Sequence, residues 1–523
     1  MLRTSYPSMV TEQDQHIFDA LVPADHYLRQ VQAVVDFERY REVMAACYHA
    51  TDGRPADDPV LLLKLSFLQV QYNLSDRDVL IQTQVNVAFR FFLNLALTDP
   101  LPHPSLLTVF RARLGATVYQ QIFDGVVTQA RAHGLVKDRL RLKDATHVIA
   151  NIAVPATIRL VAATRQRLLD AAHPFAAEQV VAERAHALAI RAATTDLADA
   201  ERLLQRVTHL RQIVAWADQV AADLGPLPPA PSSERRVFAD ALALAHTILA
   251  DRDDPGGGDQ VVSVHDPDAR RGKHGSFFTG YLLDVLMDAD SQIITALDVL
   301  PANGDEAADA TALLTHEETI HANDVQILSI DKAGFRGELL RTWQQPDGLA
   351  LEVVVPPVSE KSTPYFTVVD FIHDAAQATL TCPAQHTTTR RTRNHVDTGW
   401  KYIFPRPTCL TCPLQARCIA RLPSATGRMV MVNDYAAEYA AARQYATTDR
   451  YRQFRREHPA IERKLADMVR NHGGRRARYW GRQRTRIQLL LTGMVVNVKR
   501  MVRLLLGAPS PPGACAMSYP IAG

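Results

Sequence analysis

The sequence is short of cysteine, carries no long unbroken apolar run, and has almost no excess of charge of either sign. Six cysteines in 523 residues are too few for a disulfide framework. The N-terminus, MLRTSYPSMVTEQDQ, has no apolar core of the kind a secretory signal needs. The most apolar helix candidate, Ile487 to Leu506, is interrupted by Asn497, Lys499, Arg500 and Arg503, which suits a buried core helix better than a membrane span. No glycine occurs between Ala156 and Leu224, which argues against turns there. The expectation is therefore neither a secreted disulfide scaffold nor a membrane protein. The expected compartment is a reducing cytoplasm, and the length suits two to four domains.

What is present is unevenly placed. Tyr451 to Leu506 holds fifteen Lys/Arg against three acids, Glu457, Glu462 and Asp467, a net of +12 in a chain whose total is +2. The remaining forty-three basic and fifty-three acidic residues leave −10. A basic segment on a near-neutral body reads as a polyanion-binding surface. Within it, Pro459 suits the first turn of a helix, and Ile461, Leu465, Met468, Val469 and His472 recur at helical spacing as a buried stripe. Glu462 lies at the edge of that stripe. It is either a functional acid beside bound phosphate or an ordinary first-turn acid favourable to the helix dipole.

Taken in order, residues 1 to about 135 read as helical. Ser75-Asp76-Arg77-Asp78 is a helix start, and Ser105 opens a helix with Phe110, Arg111, Arg113 and Leu114. Short helices with arginines fit a helix-turn-helix DNA reader and a plain bundle equally well. Leu140 to Ala150 changes to a strand pattern carrying Asp144. Ala156 to Leu224 predicts a pair of long helices ended by Pro226 to Pro231. Further strands are expected at Gln260 to Val264, at Phe277 to Met287 hairpinned to Ile293 to Leu300, at Val325 to Ile330 before Asp331, at Leu351 to Val355 and at Tyr365 to Phe371. An Asp at the end of a buried strand, followed by Gly, is where open α/β sheets place their chemistry. The predicted class is α/β (α+β), a mixed sheet with flanking helices.

Cys382, Cys409, Cys412 and Cys418 fall in one short window with a two-residue gap in its middle. That gap lets two thiolates reach one ion, and two more complete a tetrahedral zinc site. Unligated buried cysteines and an iron–sulfur cluster are the other readings. Cys47 and Cys515 have no partner pattern. Asp144, Asp331 and Glu462 lie in three different elements, and converging carboxylates repel unless divalent cations neutralise them. The residues alone do not single these three out from 56 acids.

Six segments carry a resemblance that does. They are Ser75-Asp76-Arg77-Asp78 with Phe89-Arg90-Phe91-Phe92; Thr108 to Leu114; Lys143-Asp144-Ala145-Thr146; Asp266-Pro267-Asp268-Ala269-Arg270 through Thr279-Gly280-Tyr281; Asp331-Lys332-Ala333-Gly334-Phe335; and Ile461-Glu462-Arg463-Lys464 with His472 to Tyr479. In this order the chain resembles a DDE-class transposase of a bacterial insertion sequence. The resemblance implies a ribonuclease-H-like catalytic domain with Asp144, Asp331 and Glu462 binding two Mg2+ or Mn2+ ions. It implies cleavage at element ends by a metal-activated water, then joining of the 3′-hydroxyl to target DNA. A metal-dependent nuclease that does not join, or an inactive DNA-binding relic, are the alternatives. The partners implied are double-stranded DNA and further copies of the chain. Arg111, Arg113, Lys332, Arg455, Arg456, Arg470, Arg475, Arg476, Arg478 and Arg482 are the expected DNA contacts. Two positions depart from the family: His458 stands where an Arg usually precedes the glutamate by four, and Val469 then Arg470 stand where a basic residue often follows it by seven.

The expected domains are a helical, DNA-binding 1–135; a catalytic domain from 136–155, 256–350 and 440–508; a helical insertion 156–255; a β-rich insertion 351–439 with the cysteines; and a flexible tail 509–523.

Overall fold

The computed structural model describes residues 6, 10–49, 52–53, 55–254, 256, 258–359, 363–396, 398–423 and 425–507. The expected tail and Cys515 lie outside the described residues. The chain divides into two compact units, one of Met1–Lys137, Asp144–Asn323 and Ala460–Gly523, the other of Asp138–Lys143 and Asp324–Pro459.

The first unit begins with helices, as the sequence predicts. Asp58 caps Pro59–Gln71 by accepting the N–H of Val60, and this helix buries residues on nearly all sides, Leu62, Leu63, Leu65, Phe67 and Leu68 among them. Ser105–Ala132 is broken at Gly115, whose φ of 64° and ψ of 174° are not helical.

The main sheet is mixed. Its strands are β1 (Arg141–Ile149), β2 (Arg270–His274), β3 (Ser276–Asp288), β4 (Ile294–Pro301), β5 (Ile327–Ser329) and β6 (Glu352–Val354). In the first unit the order is β2-β3-β1, with β4 pairing β3. The β3–β4 hairpin runs antiparallel from Tyr281↔Pro301 to Met287↔Ile294, as expected from its two apolar runs. Gly280 sits where β3 crosses closest to β1: a Cβ there would lie 2.1 Å from the Val148 carbonyl oxygen. In the second unit β1, β5 and β6 are parallel neighbours. Helix Arg482–Leu506 is buried from Ile487 to Val498 and again at Met501 and Val502. The Asn497 that interrupts its apolar run is fully buried and clamps the start of β4, donating to the Ile294 carbonyl and accepting from its N–H, each at 2.8 Å. Among the described residues no helix is long and apolar enough to cross a membrane.

Between β1 and β2 the chain makes four helices, Thr157–Ala172, Ala177–Ala193, Asp199–Leu224 and Ser233–Asp253. The predicted pair is therefore a correction: three helices precede the proline run and a fourth follows it. They share a core containing Leu168, Leu210, Ile213, Phe238 and Ala245. Gln260 to Val264 is also corrected. It is not a strand but an irregular run, held by the Asp251 carboxylate accepting the Val261 N–H at 2.8 Å. Its Val261 and Val264 pack with Leu160, Leu244 and Ile248, so entry to and exit from the helical excursion meet.

The second unit holds, besides β1, β5 and β6, two small antiparallel three-stranded sheets. One is Ile372–Asp374, Thr379–Thr381 and Thr387–Thr388; the other is Arg391–Asn394, Gly399–Ile403 and Met429–Asn433. Tyr365 to Phe371 is not a strand. Thr367 and Asp370 form a capping box around the 3-10 turn Val368–Asp370, and this local bonding displaces the extended form.

Candidate active site

Asp144 is half-buried on β1, its Oδ1 accepting the N–H of Ala145 at 2.8 Å. Leu142 pairs with Ser329 in the parallel β1–β5 ladder. Asp331 caps the turn Lys332–Gly334, its Oδ1 accepting the Ala333 N–H at 2.9 Å. The glycine of this Asp-Lys-Ala-Gly segment has a steric reason: a Cβ on Gly334 would meet the Ile330 side chain at 2.6 Å.

Glu462 lies exposed in the first turn of Pro459–Asn471, beside a buried face of Ile461, Leu465 and Met468. Glu457 is in the turn before the helix and is paired with Arg139 at 2.8 and 3.2 Å. His458 is buried, with Nδ1 3.0 Å from the Ser329 hydroxyl. Burial, helped by the Arg455 charge, pushes its pKa down to about 4. Arg455 donates to the Ile330 carbonyl at 3.1 Å. The turn leading to Glu462 is thus fastened to the end of β5 by a neutral imidazole and an arginine. The spacing of residues gave no hint that His458 would serve this way.

The expected DNA contacts separate into two groups. Arg111 is buried, bonded to Asp76 and stacked over the Tyr479 ring at 5.0 Å. Arg475 is half-buried and donates to the His147 carbonyl at 2.6 Å, at the end of β1. Arg478 donates to the Leu74 carbonyl and the Asn73 side chain at 2.7 and 2.6 Å. These are packing arginines. Arg113, Lys332, Arg456, Arg470, Arg476 and Arg482 are exposed.

Cys382, Cys409, Cys412 and Cys418 all line one cavity of about 30 Å³, together with His386. Burial raises the Cys418 thiol pKa, and the three neighbouring sulfurs raise it further. Mutual repulsion of this kind is what a bound cation would relieve.

A family model described as Transposase domain (DUF772) matches residues 16–113, and one described as Transposase DDE domain matches residues 381–502. The second range takes in the four cysteines, Glu462 and most of the basic segment; Asp144 and Asp331 lie outside both. Neither the curated proteins nor the solved structures give a match.

Proposed function

Taking the chain as a DDE-class transposase of an insertion-sequence family, we propose that Asp144, Asp331 and Glu462 form its metal-binding triad on a ribonuclease-H-like sheet. The supporting observation is the β1–β5 register, with Leu142 opposite Ser329 and an acid two residues beyond each. His458, bonded to the same Ser329, precedes Glu462 by four residues. Three carboxylates are hard oxygen donors suited to Mg2+ or Mn2+. When bound, two such ions supply activation of a water and stabilisation of the leaving oxygen at a phosphodiester.

The rest is done by the chain. Arg455 and His458 hold the end of β5 and the turn before Glu462. The exposed Arg113, Lys332, Arg456, Arg470, Arg476 and Arg482 take DNA phosphates. Cleavage at element ends then frees a 3′-hydroxyl for attack on target DNA, within an assembly of several copies. The four cysteines, which line one small cavity, are the ligands of one zinc that staples the small β sheets; no three of their sulfurs lie within 4.8 Å of one another, so they draw together on binding it.

Acid-to-amide changes test the triad. Asp144→Asn, Asp331→Asn and Glu462→Gln should each abolish plasmid cleavage and joining while leaving DNA binding nearly intact, because phosphate contacts supply the affinity. If Glu457→Gln abolishes cleavage and Glu462→Gln does not, the third acid is misassigned.

A further inference from the structure

The helical excursion contains an unclaimed group of ligand-bearing side chains. Glu183 and His186 are three apart on Ala177–Ala193, so they share a helix face, and His209 comes from Asp199–Leu224. His209 Nε2 lies 2.9 Å from Glu183 Oε2, and His186 Nδ1 lies 3.6 Å from the same oxygen. One ligand atom from each lies within 4.8 Å of the others, and among the described residues no other trio of His, Cys, Asp or Glu is so closely gathered. Ligand bonds of about 2.0–2.1 Å at tetrahedral angles put neighbouring donor atoms about 3.3 Å apart. The two measured separations bracket that value.

A second observation shows what such a site is for. Helix Ala177–Ala193 buries only Val180 and Ala187, and it exposes Val181 and Leu188 at 61% and 66%. Apolar packing holds this helix weakly compared with its neighbours. The carboxylate is already oriented, since Gln179 donates to Glu183 Oε1 at 3.0 Å and leaves Oε2 to the imidazoles.

We infer that Glu183, His186 and His209 bind one divalent transition ion of the zinc class, which cross-links helix Ala177–Ala193 to helix Asp199–Leu224. One carboxylate and two imidazoles suit zinc, cobalt or nickel rather than magnesium. Three protein ligands leave a fourth position for water. Arg165 approaches His209 Nδ1 at 3.4 Å, which puts the ring proton on Nε2 in the metal-free protein. On binding, that neutral ring keeps one proton but carries it on Nδ1, and the Arg165 side chain gives way.

The test uses the full chain, Zn2+ as probe, and Mg2+ in large excess to fill oxygen-only sites. Hydrogen exchange should show zinc protecting residues 177–193 in the wild-type chain and in Cys412→Ser. In His186→Ala this protection should vanish, and dialysis should count one zinc fewer per chain than wild type. His186 has a side chain 51% exposed, so its replacement leaves the fold intact, and the zinc-free exchange pattern checks this. Equal zinc counts, or protection of 177–193 that persists in both His186→Ala and Glu183→Gln, would overturn the site and leave an ion-pair network between two helices.

Discussion

The helical excursion and the small β sheets are both departures from the main sheet, yet they are held by different means. The four helices share sixteen fully buried apolar residues, from Val161 to Leu249. The β region gathers six, Phe371, Leu380, Tyr402, Phe404, Val430 and Val432, with Cys382, Cys409 and Cys418 packed at their edge. Burying a large apolar side chain contributes about 1.5–3 kcal/mol. The helical region has the larger core and adds the local hydrogen bonding of its helices. The cysteines fall where apolar burial is thinner.

This contrast can be broken from either side. The largest effect is expected from Cys409→Ser: on the zinc proposed above it should unfold the β sheets while leaving the helical core protected, since structural zinc contributes folding free energy outright. Limited proteolysis with fragment mapping reads this, and equal resistance of variant and wild type would remove the need for the staple. Gly427→Ala should act the same way in weaker form. Its Cβ would lie 2.7 Å from Cys409 Sγ and from the Phe404 carbonyl oxygen, an overpacking that costs about 1–3 kcal/mol.

In the helical region no single residue should be decisive. Leu210→Ala removes a fully buried side chain and should cost about 2–5 kcal/mol, seen as faster exchange across the four helices, with zinc content unchanged. Loss of the whole domain on this one change would place the helices in the same marginal class as the β sheets.

Acid should act most strongly outside both regions. His458 and His472 are each buried, with burial pushing their pKa down to about 4. Neutral in the folded chain, they accept protons near pH 6.5 once unfolded. Stability is therefore full above pH 6.5 and falls as pH drops from 6.5 towards 4, by up to about 3 kcal/mol for each histidine. His458→Gln should flatten that slope by about one proton. An unchanged slope would mean that the imidazole is not held neutral.

How much of this was legible depends on whether a residue's role is set by its own element. The β3–β4 hairpin and the helix at Pro459 were readable because apolar period and a proline define them locally. Gln260 to Val264 was misread because its valines are as apolar as a strand's, but they pack on helices. The arginines show the limit most plainly. Arg111 and Arg113 are two positions apart with the same chemistry; one faces Asp76 in the interior and the other faces out. Arg111 falls on the buried stripe of Leu107, Phe110 and Leu114, and its partner Asp76 lies 35 residues away. The Glu183, His186 and His209 group was missed for the same reason. Its i, i+3 pair is visible on one helix, but His209 is supplied by the next.

The meeting of Leu160 with Val261 and Val264 bears on how the main sheet tolerates so long an interruption. Closing a flexible loop costs an entropy that grows only with the logarithm of its length, about 0.6 kcal/mol per doubling. Here the two ends are pinned together by their own side chains, so the excursion behaves as a closed module rather than as slack between β1 and β2. It is a cassette, and a short Gly/Ser bridge between its ends should leave the β3–β4 hairpin and its Asn497 clamp in place.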